Sequence, residues 1–164
     1  MILKNVDELI FQPLGLKLLN MEEDRESSEY SGCSFMLDRL NIKFRTSKIT
    51  PTKTGQFVTI WKRDENGETA PFDSVDPYDF YLISGSRDNN RGIFIFPKEI
   101  LLQKGILSHG GKMGKRGIRV YPSWDPTESK QAMATQKWQT AYFLDLSQDE
   151  ESYLSKAKLL FNLQ

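Results

Sequence analysis

The chain has 164 residues and no formal net charge, with 38% hydrophobic and 27% charged side chains, a balance that suits one domain burying its own core and argues against wholesale disorder. One cysteine, Cys33, excludes a disulfide framework and multi-thiolate metal sites, and one histidine, His109, excludes paired-histidine sites. No run of about 18 apolar residues offers a membrane span, and Met1-Ile2-Leu3-Lys4-Asn5 does not open like an export signal, so a cytoplasmic protein with no membrane partner is expected.

Residues 6–19 read as a helical segment that Pro13 limits to about two turns on either side. The acidic, polar stretch 21–31 reads as a loop or a loosely held helix. Residues 34–37 and 42–49 read as a hairpin, and Ile42, Phe44 and Thr46 alternate with Lys43, Arg45 and Ser47 to give one apolar and one basic face. Turn chemistry at 50–55 leads to a strand over 56–63, closed by a turn at 64–67. The short apolar runs 80–83 and 93–96 suit central strands, with 84–90 as the loop between them. Pro97 ends the second run and opens a short helix, 98–104, stopped by Gly105. A basic glycine-rich loop at 108–117 and a strand at 118–122 follow. From Glu128 the spacing of Ala134, Trp138, Ala141 and Tyr142 marks an amphipathic helix. A capping box at 147–150 precedes a last helix with the stripe Tyr153, Leu154, Ala157, Leu160 and Phe161. This order predicts one mixed α/β (α+β) domain over 1–164, with strands 56–62, 79–83 and 93–97 adjacent.

Charge placement says more than the total. Residues 42–63 carry six basic and no acidic side chains, 64–80 carry six acidic and no basic ones, and 81–124 carry eight basic against two acidic. A neutral chain built from such blocks presents a positive face, and polyanion binding responds to the face. Candidate phosphate contacts are Lys43, Arg45, Lys48, Lys53 and Lys62, with Lys112, Lys115, Arg116 and Arg119 in the second basic stretch. Glycines there let backbone amides approach phosphate. The loop is not a nucleotide-binding P-loop, because His109 stands at the first glycine position and Arg116 replaces the Ser or Thr. Trp61 and Trp124 are candidate stacking platforms, whereas Trp138 reads as core. His109 has no obvious Ser or Asp partner in sequence, and Cys33 reads as a small core residue.

Asp76-Pro77-Tyr78-Asp79 leads into one strand and the next ends Ile95-Phe96-Pro97-Lys98. The arrangement echoes the PD-(D/E)XK nucleases, in which an aspartate on one strand faces an acid-x-lysine on its neighbour and the acids hold a cation. Asp79 takes the first position and Lys98 the last, but Phe96 stands where the second acid is required, and a phenyl ring ligates no cation. The motif is degenerate, so no catalytic residue, metal ligand or cofactor is assigned. A metal-dependent nuclease using Asp76, Asp79 and Glu99 with Lys98 is the alternative.

The runs from Lys43 to Val58 and from Gly114 to Pro122, with Phe94-Ile95-Phe96-Pro97-Lys98 and Thr135-Gln136-Lys137-Trp138-Gln139, resemble the signature of the MepB family of small bacterial proteins. That family is named for an operon that also encodes a drug-efflux pump and its repressor. The resemblance implies a restriction-endonuclease-like fold, a central mixed β-sheet flanked by helices, with a degraded catalytic site. It also implies binding to DNA or RNA, single-stranded or structured, without established cleavage, and it implies no particular partner protein. A small-molecule or protein-binding module in drug response is a third reading.

Overall fold

The computed structural model describes residues 1–26 and 30–163. Helix α1 (Leu3–Val6) continues as a π-helical turn over Asp7–Phe11. Strands β1 (Leu18–Glu23), β2 (Cys33–Leu37), β3 (Leu40–Thr46), β4 (Lys48–Ile49), β5 (Gln56–Thr59), β6 (Trp61–Arg63) and β7 (Thr69–Pro71) follow. The chain then forms β8 (Phe80–Arg87), β9 (Asn90–Pro97), α2 (Lys98–Gln103), β10 (Gly117–Val120), α3 (Lys130–Thr140), β11 (Phe143–Asp145) and α4 (Glu150–Leu160).

The main sheet runs β1-β2-β3-β8-β9-β11, with β3 and β8 parallel and every other pair antiparallel. This is the expected mixed α/β architecture with a central mixed sheet flanked by helices. Residues 80–83 of β8 and 93–96 of β9 are apolar without a break because both of their faces are covered. Phe80, Leu82, Ile93 and Ile95 pack with Ile10, Phe11, Tyr153 and Ala157 of the α1 and α4 side. Tyr81, Ile83, Phe94 and Phe96 pack on the other face with Val58, Phe72, Leu101 and Val120. A second sheet, β10-β5-β4, and the β6-β7 ribbon belong to that face.

Strand 56–62 is therefore not beside 79–83 as expected. β5 pairs with β10 and β4, and only 79–83 and 93–97 are neighbours. The chain leaves the main sheet at Ser47, whose hydroxyl donates to Gln56 Oε1 at 2.6 Å and to the Ser84 carbonyl at 3.0 Å. Gly85 makes this possible, because a Cβ there would collide with the Gln56 carboxamide and the Ser47 hydroxyl.

Three local expectations also change. Residues 18–23 form an edge strand rather than a loop or helix, with all but one of its residues exposed, so no alternation of polarity announces it. Residues 27–29 of the stretch 21–31 lie outside the described residues. The stretch 84–90 is mostly strand, closing in the two-residue turn Asp88-Asn89 with Asp88 at φ 54°. Helix α4 is capped by Asp149, which accepts from the Ser152 amide at 3.0 Å, while Ser147 donates to Asp145. Among the described residues no helix is long and apolar enough to cross a membrane.

Candidate nucleic-acid interface

β10 gives one edge to β5, and α3 lies along the other through two glutamines. Gln139 Oε1 accepts the Tyr121 amide at 2.8 Å and its Nε2 donates to the Arg119 carbonyl at 3.0 Å. Gln136 Nε2 donates to the carbonyls of Pro122 and Asp125, at 2.9 and 2.8 Å. Spacing of three residues puts both on one helix face. Between α3 and β10 lies a groove of about 640 Å³.

Lys53, Lys104, Lys115 and Arg119 line this groove, and no carboxylate does. Trp138 and Tyr121 supply its aromatic surface. Trp138 rests on Phe96, with ring centroids 5.5 Å apart, and carries Lys104 Nζ 5.4 Å from its ring. Arg119 donates to the Thr54 carbonyl at 3.1 Å and to the Thr50 hydroxyl, which anchors its fork to the 50–55 turn. Three of the sequence candidates, Lys53, Lys115 and Arg119, are thus brought together.

Others are not. Lys43 and Arg45 were expected on an open basic face, yet they are 5% and 4% exposed. Both pair with Asp24, and Arg45 also donates to the Thr59 carbonyl and hydroxyl at 3.1 Å and to the Trp61 carbonyl at 3.3 Å. The alternation in β3 is real, but the basic face is roofed by the end of β1 and by β5 and β6. Burial drives the pKa values of both cations down, and Asp24 opposes the shift.

Lys62 holds both oxygens of Asp76 at 2.8 Å. Lys48 is exposed on β4 with its Nζ 5.2 Å from the Tyr30 ring. Lys112 and Arg116 are exposed around a separate pocket of about 500 Å³ that also takes in Asp64, Glu68 and Asp73, so its field is mixed. Arg116 is tied there to Thr69. Trp61 is half-buried with the Arg63 guanidinium 5.2 Å from its ring. Trp124 is half-buried and packs edge-on against buried Phe143, away from the groove. His109 gains a partner that the sequence did not indicate, the Ser74 hydroxyl, 2.7 Å from Nδ1.

The degenerate nuclease positions are spread over both faces of the sheet. Asp79 Oδ2 accepts the Asn41 amide at 2.7 Å, and the Lys98 amide donates to the Asp79 carbonyl at 3.1 Å. Asp79 and Glu99 border a largely apolar pocket of about 960 Å³ beside the end of α4. Asp76 sits with Lys62 instead. Phe96 is fully buried on the opposite face, stacked on Phe94 at 5.3 Å. Among the described residues no three His, Cys, Asp or Glu side chains gather closely enough to hold a metal ion.

Sequence reasoning missed Lys104 and Tyr121; Trp138 packs against the core, as read, and also lines the groove. Lys104 lies outside both basic runs, and only the fold carries it to Trp138. The one available signal at 138 was the neighbouring basic, glutamine-rich helix sequence.

No curated protein sequence matches the chain. A solved structure described as the crystal structure of MepB superposes with a TM-score of 0.78 at 36% identity, over 80% of this chain and 89% of that one. A bacterial homing endonuclease, I-Ssp6803I, superposes with a TM-score of 0.44 at 13% identity, over 83% of this chain and 90% of that one. The MepB-like family model matches residues 24–145. The chain belongs to the MepB-like family.

Proposed function

We propose that this protein acts as one domain that binds nucleic acid, single-stranded or structured, along the groove between β10 and α3, and does not cut it. The observation that carries the reading is the groove's lining: four cations, no carboxylate and an indole floor. Phosphates take the cations while exposed bases stack on Trp138 and Tyr121, the usual division of labour on a single strand. Asp76 is held by Lys62, apart from the pocket that Asp79 and Glu99 border, which favours binding over metal-dependent cleavage.

The test is a titration of a labelled single-stranded oligonucleotide over a range of salt. Four neutralised phosphates give a slope of log affinity on log salt near about −2.8, from roughly −0.7 per phosphate. A slope near zero, or no binding at low salt, refutes the reading.

A further inference from the structure

A smaller cavity, about 210 Å³, lies over the buried basic face of β3, with Lys43, Arg45 and Lys62, the carboxylates of Asp24 and Glu26, and the rings of Trp61 and Tyr78 in its wall. Most of its charges are already matched. The Arg45 fork is occupied by Thr59, Trp61 and Asp24, Lys62 by Asp76, and Glu26 by Arg63. Lys43 differs. Its ammonium has three donors, and Asp24 takes one. Among the described residues, the rings of Phe72 and Tyr78 also lie near its ammonium, both 5.8 Å away. Two buried cations therefore share a single carboxylate. An excess positive charge is costly to bury unless an anion completes it.

We propose that this cavity binds a phosphate monoester dianion on Lys43, with Lys62 beside it and the Trp61 ring flanking the attached nucleoside. Size and charge select the monoester. At about 30 Å³ per water the cavity holds roughly seven waters, enough for a phosphoryl group and part of a sugar but not for a strand passing through. A monoester carries about −1.5 to −2 at neutral pH and a chain phosphodiester only about −1, so the monoester gains more from the surplus cation. Such a group is offered both by the phosphorylated end of a nucleic acid and by a free mononucleotide. The site is separate from the groove and does not depend on it.

The experiment compares 5′-phosphorylated and 5′-hydroxyl copies of one oligonucleotide, and a nucleoside 5′-monophosphate alone, on wild-type protein, Lys43→Met and Lys62→Met. A terminal phosphate source gives about tenfold tighter binding of the phosphorylated copy, the worth of one charge-assisted hydrogen bond. The monophosphate then competes for that difference only, and Lys43→Met removes it while leaving the affinity of the hydroxyl copy unchanged. Monophosphate binding that Lys43→Met abolishes, with no end preference on oligonucleotides, assigns the cavity to free nucleotides. Lys43→Met leaves Asp24 and Arg45 as a matched pair. Should it nonetheless fail to fold, Lys62→Met, whose side chain is 30% exposed, reads the same differences. Equal affinity for both copies together with no monophosphate binding overturns the proposal, as does an end preference that survives both variants. Monophosphate binding without any oligonucleotide binding refutes the groove and keeps the cavity.

Discussion

Gln139 stands in for a missing strand beside Arg119, its carboxamide donating to the Arg119 carbonyl at 3.0 Å while accepting the amide of Tyr121 at 2.8 Å. The side chain is 1% exposed, so no water replaces it. Gln139→Leu leaves two backbone groups unpaired at a buried edge and is expected to cost about 2–4 kcal/mol. Urea unfolding measures the loss. A change under 0.5 kcal/mol would mean that α3 is not held by this residue.

In the groove, Lys115→Glu with Arg119→Glu is expected to weaken binding to every oligonucleotide sequence and to flatten the salt slope by about 1.4, two phosphates' worth. The matching control is Lys158→Glu, since Lys158 is exposed on α4 and away from the groove. Lys156 does not serve, because it is half-buried and donates to the Thr140 carbonyl at 3.0 Å. Equal losses in groove and control variants would show general charge attraction.

Phe96→Glu restores the letters of the nuclease motif and nothing of its chemistry. The ring touches Phe94, Trp138 and Tyr142 in a closed core. A carboxylate there has no cation to meet, and a loss of about 3–5 kcal/mol is expected with no gain of magnesium affinity. Thermal unfolding with and without magnesium checks both halves. A variant of wild-type stability that binds the ion would restore the nuclease reading.

Asp125 predicts a pH dependence. Its side chain is 1% exposed, neither oxygen has a hydrogen-bond partner, and Arg87 Nη1 stands 3.7 Å away. Burial raises its pKa above the ordinary value, and the Arg87 charge only partly offsets this. The folded state therefore holds the proton more tightly than the unfolded chain. Its contribution to stability is greatest below the unfolded pKa of about 3.9 and falls as pH rises to the raised folded value. Asp125→Asn is expected to be more stable than wild type at pH 7, with the gain shrinking towards pH 4. Denaturation midpoints at both pH values test the sign.

Cys33 is 3% exposed, and burial pushes its thiol up to about 12. Native protein at pH 8 should label with a thiol reagent only as fast as it unfolds. Fast labelling in native buffer would show that the β1–β2 end of the sheet opens on its own.

Legibility in the sequence followed how local each signal was. The pairing of 80–83 with 93–96 and the helix α2 were legible because apolar runs, Pro97 and Gly105 mark them, although the hairpin strands run on through the expected loop. β1 escaped because an exposed edge strand needs no alternation. The second sheet escaped because β5 meets β10 from far along the chain, and no local pattern in 56–59 names that partner. In the site, Lys53, Lys115 and Arg119 were legible as cations in basic runs. Lys43 and Arg45 had the same appearance, and only the position of Asp24 separates a buried ion cluster from a binding face. Trp138 shows the converse, since a helix stripe does not reveal that an indole packed on Phe96 also lines a groove and carries Lys104.

Parallel pairing of β3 with β8 sends the chain out of the main sheet after Thr46 and back at Phe80, with β4 to β7 built on that detour and their partner β10 arriving later still. Contacts so far apart along the chain form late, after the entropy of closing long loops has been spent. The β8–β9 hairpin needs none of them. Assembly therefore has a direction, from the hairpin outwards, and the groove walls are its last product. The same topology leads to the expectation that amides in β5 and β10 exchange before those in β9, which hydrogen exchange would check. A strand of nucleic acid lying between Lys53 and Lys115 would staple the detour to its late partner, so the ligand would act on this half of the protein as a cross-link does on an unfolded chain.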